Sequence, residues 1–456
     1  MKNTFTLCTT LLSVVSMSGQ VTEVEPMFEN RYGHTLTKIE DGVAIAIGGS
    51  DGNNLQSTAE YYSFVLDQWE YTGEMTSPRI DHTADLIADD TVIVIGGYDG
   101  ETNLAQTEIY DHITHTFSPG PVLPEGISYH RTALIDNDGN ATDYLLVTGG
   151  FNGNGYTAQC TLLNLTTMEF EAADSMHYAR GSHTCNVLSD GRVLVTGGYN
   201  PDYGFQMNQC EIYDPATNEW TEVAPLNQPR DNHAAVALED GSVWVSGGRY
   251  FNGNLNLFEG LTSCEKYDVT ENDWSDDAST VGGHSYHQMI VYSDYLGLYF
   301  VLIPGSTNHS GIDVETTYSG SEWNILSVFG SDEYVQHDGT PRYRYGACLF
   351  YVNCVLVTGG LDGDASTADL YCPPNAVEEL LPDQEMLLYP NPADFFVSIL
   401  NPVKPGAAYR ITGLDGRLVA KGKLNISGKS IETNLIAPGV YCLHVGEAVA
   451  RFVVQH

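Results

Sequence analysis

The sequence predicts an all-β chain, because one short apolar run recurs at a near-constant interval and no segment has helical periodicity. Six copies of the run end in two glycines, and the first glycine of each pair is residue 48, 96, 149, 197, 247 or 359. The steps are 48, 53, 48, 50 and 112 residues, so the last interval is about twice the others. A degenerate copy with one glycine, VLIPGS at residues 301–306, lies halfway along that interval. The period indicates a repeat array of about seven units, each of which buries its apolar faces against its neighbours.

The fourth unit, residues 180–229, shows how one repeat divides into strands. Apolar runs predict strands over residues 183–188, 193–196, 210–214 and 220–224. Asp190-Gly191 separates the first two with a tight turn, because both residues tolerate a positive φ. The Gly197-Gly198 pair ends the second strand without a Cβ, which lets the backbone pack closely against a neighbour. Four antiparallel strands in a repeat of this length predict one blade of a β-propeller.

The same markers recur in the other units. A Glu begins the third strand, an aromatic residue marks the fourth, and an Arg and a His three residues apart open the next unit. The Arg and His pairs are Arg31 and His34, Arg79 and His82, Arg180 and His183, and Arg230 and His233. With the double glycines, these markers resemble the kelch repeat over roughly residues 21 to 372. The resemblance implies a kelch-type propeller over residues 20–372, and residues 21–28 are predicted to supply the last strand of blade 7. Units three and six depart most, with Thr161 in place of the Glu and Pro304-Gly305 in place of the glycine pair.

The N-terminal residues 1–19 have the pattern of a secretory signal peptide. One lysine precedes an apolar, Thr- and Ser-rich stretch, which small residues follow. The stretch is too short to span a membrane stably, and no later run is long enough either. We therefore expect a secreted or surface protein without a membrane span.

The C-terminal part begins after a Pro- and Glu-rich linker, residues 373–386, and covers residues 387–456. Its strand-like runs include a predicted hairpin turn at Asp415-Gly416. The pieces YPNPADFFVSI, ITGLDGRLV, LIAPGVYCLHV and RFVVQH resemble the C-terminal sorting domain of the type IX secretion system of Bacteroidota. The residues that carry this resemblance are Tyr389, Pro390, Asn391, Pro392, Gly416, Gly439 and Tyr441. It implies an immunoglobulin-like β-sandwich, a type IX secretion machinery as partner, and a location outside the cell or on the outer-membrane surface. An ordinary accessory β-domain is the alternative.

The charge is concentrated in the predicted propeller. Residues 20–382 contain 53 Asp and Glu against 11 Lys and Arg, whereas the last 74 residues contain 6 against 7. A body this acidic disfavours nucleic acid and anionic membranes as partners. The charge is typical of a solubility adaptation, and cation binding is the second interpretation.

Nine cysteines, eight of them after residue 19, fit an oxidising compartment without making a disulfide-dense scaffold. Cys160, Cys210 and Cys264 hold equivalent positions in successive blades and are expected to be too far apart to bridge. Cys348 and Cys354 flank a predicted hairpin and are the candidate disulfide.

The candidate ligand-binding residues lie in loops that share one face of the propeller. These loops follow each second strand or lead into each first strand, and they are rich in aromatic side chains and hydrogen-bonding groups. The candidates are Tyr203, Phe205, Tyr250, Phe251, Phe258, Tyr334, His337, Tyr343 and Arg344. Aromatic rings beside polar groups suit sugars, although these rings could instead only pack over the end of the propeller.

The repeated Arg, His and Glu residues are interpreted as structural, because a residue required in every blade is expected to serve blade packing rather than a single site. No metal site is predicted, and the Asp-Gly pairs after the glycine doublets offer too few oxygen ligands for more than a weak calcium hypothesis. No cofactor is expected.

Two functions remain open. The first is a binding module that recognises a glycan or a protein through the loop-rich face. The second is an extracellular carbohydrate-active enzyme similar to galactose oxidase or the sialic acid mutarotases, although no catalytic residue can be assigned. Fold alone decides neither.

Overall fold

The computed structural model describes most of the predicted propeller and parts of the C-terminal domain. The described residues are 20–64, 66–135, 144–238, 240–253, 257–277, 279, 284–293, 299–302, 315–319, 322–326, 344–351, 354–360, 366–372, 388–389, 396–399, 408–413, 417–423, 430–432, 439–445 and 448–454. Within them, strands dominate and a single 3-10 turn, Pro201–Tyr203, is the helical element. The predicted signal peptide and linker lie outside the described residues.

Seven four-stranded antiparallel sheets form the propeller blades. Blade 1 contains Thr35–Glu40, Val43–Ile47, Ala59–Ser63 and Gln68–Tyr71. Blade 2 contains Thr83–Ala88, Thr91–Ile95, Glu108–Asp111 and Thr116–Pro119. Blade 3 contains Arg131–Ile135, Tyr144–Thr148, Cys160–Asn164 and Glu169–Ala172. Blade 4 contains Thr184–Val187, Val193–Thr196, Cys210–Asp214 and Glu219–Val223. The strands predicted for the fourth unit are thus found within one residue at each end.

With blades 5 to 7, the propeller has seven blades, as the repeat period predicts. Blade 5 contains Ala234–Ala237, Val243–Ser246, Cys264–Asp268 and Asp273–Asp277. Blade 6 contains Ile290–Ser293, Tyr299–Leu302, Glu315–Ser319 and Glu322–Leu326, so the degenerate sixth repeat is a blade. Blade 7 contains Gly346–Tyr351, Cys354–Thr358 and Ala368–Cys372 from the end of the propeller, and Gln20–Val24 from its beginning.

The pairing of Gln20–Val24 with Ala368–Cys372 closes the ring. The two strands are antiparallel, with Val21 opposite Tyr371 and Val24 opposite Ala368. This confirms that the first strand after the predicted signal peptide completes the last blade. Closure also removes the exposed sheet edge that an open array would leave.

The first strands of the blades surround the centre of the ring. Thr35–Glu40 contacts the first strands of both neighbouring blades, and the same contact joins Ile290–Ser293 of blade 6 to Gly346–Tyr351 of blade 7. The second strands are the most buried elements, and every residue of Val43–Ile47 and of Val193–Thr196 is buried. The apolar runs recur because each second strand packs between two neighbouring sheets.

Two additional hairpins extend blades 4 and 5 beyond their second strands. Tyr199–Asn200 pairs with Phe205–Gln206, and Arg249–Asn252 pairs with Leu257–Gly260. The sequence predicted both segments as loops. They are inserted in the connection from the second to the third strand, on the face where the loops were expected.

The C-terminal domain contains two antiparallel sheets. One consists of Leu388–Tyr389, Phe396–Ile399 and Ser430–Glu432, and the other of Leu418–Lys423, Ala408–Gly413, Gly439–Val445 and Ala448–Val454. The fully buried side chains Ile411 and Leu443 come from the second sheet, and Ile431 comes from the first. Of the residues that suggested a sorting domain, Tyr389, Gly439 and Tyr441 lie in these strands, whereas Pro390, Asn391, Pro392 and Gly416 lie outside the described residues. No helix in the described part of the chain is long and apolar enough to cross a membrane.

The predicted disulfide is wrong. Cys348 is a free thiol, whereas Cys354 is disulfide-bonded to another residue. In the hairpin, Cys348 is opposite Leu356 and Cys354 is opposite Tyr351, so the two cysteines are offset along the ladder. Diagonal neighbours of this kind have Cα atoms about 7–8 Å apart, beyond the distance that a disulfide spans. The equivalent cysteines Cys160, Cys210 and Cys264 are buried and are not disulfide-bonded.

Candidate functional site

The repeated Arg and Glu residues form a buried clamp within each of four blades. In blade 4, Arg180 Nη2 donates to Glu211 Oε1 at 2.7 Å, and both side chains are fully buried. Arg180 Nη1 also donates to the carbonyl of Gly197 at 2.8 Å. Matching Arg–Glu pairs occur at Arg31–Glu60, Arg79–Glu108 and Arg230–Glu265. The clamp ties the segment that enters a blade to that blade's second and third strands, which is a structural role.

Blade 3 lacks both members of the clamp. Its equivalent of the Arg is Ile127, which is buried, and its equivalent of the Glu is Thr161. A buried ion without its partner is strongly destabilising, whereas replacing both members by neutral residues costs little. The departure of this unit from the repeat pattern is therefore a paired replacement.

The repeated histidines join neighbouring blades. His183 Nε2 lies 2.8 Å from Thr148 Oγ1 of blade 3, and His34 Nε2 lies 2.9 Å from Thr358 Oγ1 of blade 7. The first glycine of each doublet packs against the segment that leads into the next blade. A Cβ on Gly197 would lie 2.5 Å from the Arg230 carbonyl and 2.8 Å from His233 Cε1. Burial, reinforced by neighbouring Arg31, lowers the pKa of His34 to about 3, so this imidazole is neutral. The histidines are interblade packing residues.

A ring of seven backbone positions lies directly before these histidines and their equivalent, Tyr345. Every member has a positive φ between +48° and +64°. The amide of Tyr129 donates to the Asp81 carbonyl at 3.1 Å, that of Ser182 to Tyr129 at 2.9 Å, and that of Gly33 to Arg344 at 2.7 Å. We call this ring the channel mouth, and its members are Gly33, Asp81, Tyr129, Ser182, Asn232, Tyr286 and Arg344.

Backbone geometry is repeated around the channel mouth, but the side chains are not. The seven positions carry six residue types, whereas the adjacent His recurs in six of the seven blades. A residue type that recurs around the ring, such as the His, serves the fold. A position whose backbone is the same in every blade but whose side chain differs can form a single site. The channel mouth is therefore the candidate functional site.

Arg344 reaches past the Gly33 position to Asp81 along the channel mouth. Its Nη2 lies 3.2 Å from Asp81 Oδ1, and both side chains are mostly buried. Gly33, between them in the ring, has no side chain to obstruct this contact. Burial raises the pKa of the Asp81 carboxyl even though Arg344, Tyr129 and Arg131 act to lower it. Burial also raises the pKa of the Tyr129 hydroxyl to about 12, so this group is a neutral hydrogen-bonding partner.

Arg249 enters the site from the blade 5 hairpin. Its Nε donates to Asp231 at 2.9 Å and its Nη2 at 3.0 Å, which makes a two-point ion pair with a fully buried carboxylate. The Arg249 guanidinium lies 5.3 Å from the centre of the Tyr286 ring, and the Arg344 guanidinium lies 5.0 Å from the same ring. Both distances are typical of cation–π contacts. Tyr286 thus connects the two ion pairs.

An aromatic ridge runs beside the channel mouth on the two extra hairpins. It consists of Phe205, Phe251 and Phe258. The ring centres of Phe205 and Phe251 are 5.5 Å apart, and those of Phe251 and Phe258 are 5.3 Å apart. Arg249 lies 4.5 Å from the centre of the Phe258 ring and so joins the ridge to the mouth. Phe205 and Phe258 remain 40% and 42% exposed, which leaves ring surface available to a ligand.

The structure brings together four of the nine candidate binding residues. Phe205, Phe251 and Phe258 form the ridge, and Arg344 lies at the channel mouth. Tyr203 lies in the turn of the blade 4 hairpin, where its ring contacts that of Tyr178. Tyr250 is on the same hairpin, where its hydroxyl donates to Glu259 at 2.6 Å. Tyr334, His337 and Tyr343 lie outside the described residues.

Sequence reasoning missed Asp81, Tyr129, Asp231, Arg249 and Tyr286. Asp81 and Asp231 lie inside the Arg-to-His segments, which were interpreted as structural because their end residues repeat. Tyr129 and Tyr286 hold the same position before a His in units that lack the Arg. The signal was present between those ends, where the residue before each His changes from blade to blade. Among the described residues, no group of three or more His, Cys, Asp or Glu side chains is placed to hold a metal ion.

Comparison with known proteins supports the fold. A sequence model described as the Kelch motif matches residues 41–76, 83–123 and 180–227. The solved structure titled "Structure of YjhT" is similar to this chain with a TM-score of 0.52 and 15% identity, and the match covers 66% of this chain and 99% of that one. No match was found among curated proteins. With the seven four-stranded sheets, these findings show a kelch-type β-propeller.

Proposed function

We propose that this kelch-type propeller is a binding module that recognises a glycan on the face formed by the aromatic ridge and the channel mouth. The observation that carries the proposal is the run of contacting, partly exposed rings Phe205, Phe251 and Phe258. The C–H faces of sugars stack on such rings, while their hydroxyl groups need hydrogen-bonding partners close by. Arg249, which packs on Phe258 and keeps part of its side chain exposed, supplies such a partner beside the ridge.

Glycan-array binding by the chain from residue 20 onward, with and without calcium, tests this proposal. Phe258→Ala and Phe205→Ala are expected to weaken a selective signal at least tenfold, because each removes a stacking surface. Tyr71→Ala is the matched control, since Tyr71 is 54% exposed on the outer strand of blade 1. An array without signal would favour a protein ligand instead, and equal loss in all three variants would point to a general folding defect.

We further propose that the protein is exported by type IX secretion and acts outside the cell. The support is the resemblance of residues 387–456 to the sorting domain and the two small antiparallel sheets formed by those of its residues that the structure describes. Deleting residues 387–456 is expected to leave the propeller in the periplasm of a host with this system. Continued export of the truncated protein would favour an ordinary accessory domain.

A further inference from the structure

Blade 7 closes the ring without the turn that joins the two outer strands of the other blades. In blade 4, Cys210–Asp214 continues through a short turn into Glu219–Val223, the outer strand of the same sheet. In blade 7, the outer strand is Gln20–Val24, which comes from the other end of the propeller. The end of Ala368–Cys372 therefore lacks the link to its outer neighbour that a turn gives.

The residue at the end of the third strand starts that turn in three other blades. Asp111, Asp214 and Asp268 each accept a hydrogen bond from a backbone amide two or three residues further on. Such a bond between an Asp side chain and the backbone is typical of a turn. The equivalent residue of blade 7 is Cys372, which two prolines follow. The strand that no such turn follows thus ends in a cysteine instead of an aspartate.

Cys354 lies directly opposite Cys372 in the ladder of blade 7. The second and third strands are antiparallel with Val355 opposite Tyr371, so the next rung joins Cys354 to Cys372. Directly opposite residues have Cα atoms about 4.5–5.5 Å apart, a distance that a disulfide spans. The backbone therefore places these two cysteines in the register that a disulfide needs.

The other cysteines do not compete for Cys354 on geometric grounds. Cys354 is disulfide-bonded. Cys442 belongs to a sheet of the C-terminal domain, where it is opposite Thr412 and Arg451, and Cys8 lies in the predicted signal peptide. The cysteines that are not disulfide-bonded are Cys160, Cys185, Cys210, Cys264 and Cys348.

We propose that Cys354 and Cys372 form a disulfide that holds the strand on which closure of the ring depends. Cys372 is opposite Gln20 in the ladder that closes the ring, so the bond fixes the last rung of that ladder. It takes the place of the turn, at the point where the chain leaves the propeller. The bond forms when the disulfide of an oxidising thiol–disulfide oxidoreductase accepts the two electrons and two protons of the Cys354 and Cys372 thiols. This inference does not depend on the proposed function.

Cys348, the third cysteine of the blade, does not disturb this pairing. It packs against the same apolar cluster as Cys354, Leu356 and Leu370. Exchange of a disulfide requires attack by a thiolate, however, and burial raises the pKa of the Cys348 thiol to about 12. Cys348 therefore stays protonated at neutral pH, and it provides a matched control in the same blade.

Peptide mapping of the unreduced protein, exported to an oxidising compartment, tests the pairing. A cross-linked peptide that contains Cys354 and Cys372 is the expected result. A link from Cys354 to any other cysteine of the chain, or to a second copy of it, would overturn the proposal. Free thiols at both residues would overturn it as well.

Hydrogen exchange tests the role of the bond. The double variant Cys354→Ser with Cys372→Ser is expected to speed exchange of the Gln20–Val24 amides by about tenfold or more, because the strand that they pair with is no longer fixed. Reduction of the parent protein gives the same result without a substitution. Exchange in Val193–Thr196 of blade 4 is expected to stay unchanged, and Cys348→Ser is expected to change neither segment.

Two outcomes of the exchange experiment would overturn the role in closure. The first is unchanged exchange of the Gln20–Val24 amides after reduction. The second is an equal increase in Gln20–Val24 and Val193–Thr196, because the bond would then stabilise the propeller as a whole rather than its closing strand.

Discussion

Arg180 and Glu211 form a fully buried ion pair at 2.7 Å, within a blade whose neighbour, blade 3, has neither residue. The Glu211 carboxylate also accepts from the amide of His177 at 2.6 Å and from His177 Nδ1 at 2.8 Å. The pair thus organises the chain before the blade as well as the blade itself. Because blade 3 has neither residue, replacing both members of the clamp together is expected to cost little stability.

Breaking one half of this clamp is expected to destabilise the propeller. Glu211→Thr leaves Arg180 buried without its counterion, which costs about 3–5 kcal/mol. The double variant Arg180→Ile with Glu211→Thr copies blade 3 and is expected to recover at least half of that loss. Urea unfolding of the single and double variants measures both effects. A double variant as unstable as the sum of its single variants would contradict the paired interpretation.

The repeated histidines make the stability of the propeller dependent on pH. Burial lowers the pKa of His34 and of His130 from 6.5 to about 3, and lowers those of His82, His183, His233 and His287 well below 6.5. The unfolded chain therefore binds more protons than the folded one below pH 6.5. Stability is fully present above that pH and falls as the pH falls towards 3, by up to about 1.4 kcal/mol per pH unit for each histidine.

His130→Gln isolates one of these contributions. Between pH 5 and 6, the slope of unfolding free energy against pH is expected to decrease by roughly one proton relative to the parent chain. Asp85 acts in the opposite direction, because burial raises the pKa of its carboxyl to about 6, but it is present in both proteins. An unchanged slope would mean that His130 is protonated in the folded state.

The repeated part of the fold is what the sequence predicts well. Blade number, closure by the N-terminal strand and the strands Val193–Thr196 and Cys210–Asp214 follow from a pattern that seven units share. The hairpin Arg249–Asn252 with Leu257–Gly260 was missed because it lies outside the pattern that the seven units share and its residues lack strict alternation. The candidate site was predicted only in part, because it too is built from segments that differ between the blades. Its exposed rings are visible in the loop composition, whereas the Arg249–Asp231 pair depends on how the blade 5 hairpin folds back, and the Arg344–Asp81 pair depends on ring closure, which leaves only blade 1 between blades 7 and 2.

The glycine doublet is expected to be intolerant of a side chain for steric reasons as well as conformational ones. Gly197 has a φ of +57°, and a Cβ there would lie 2.5 Å from the Arg230 carbonyl of the next blade. Gly191 also has a positive φ, +85°, but a Cβ there meets nothing within 4 Å. Gly191→Ala is therefore expected to cost about 1–2 kcal/mol, the strain of the backbone alone. Gly197→Ala is expected to cost distinctly more in the same unfolding experiment, and equal losses would exclude the contact between blades as a cause.

Thiol labelling tests the corrected cysteine assignment. After unfolding without a reductant, an alkylating reagent is expected to modify Cys348 together with Cys160, Cys185, Cys210 and Cys264, because none of the five is disulfide-bonded. Cys354 is expected to react only after reduction, since it is disulfide-bonded. In the folded protein, labelling of Cys160 and Cys210 should be slow, because burial raises the pKa of each thiol to about 12 and blocks access to it. Peptide mapping by mass spectrometry distinguishes the sites. A cross-linked peptide containing Cys348 and Cys354 would restore the pairing predicted from the hairpin and would require the ladder between Gly346–Tyr351 and Cys354–Thr358 to shift its register.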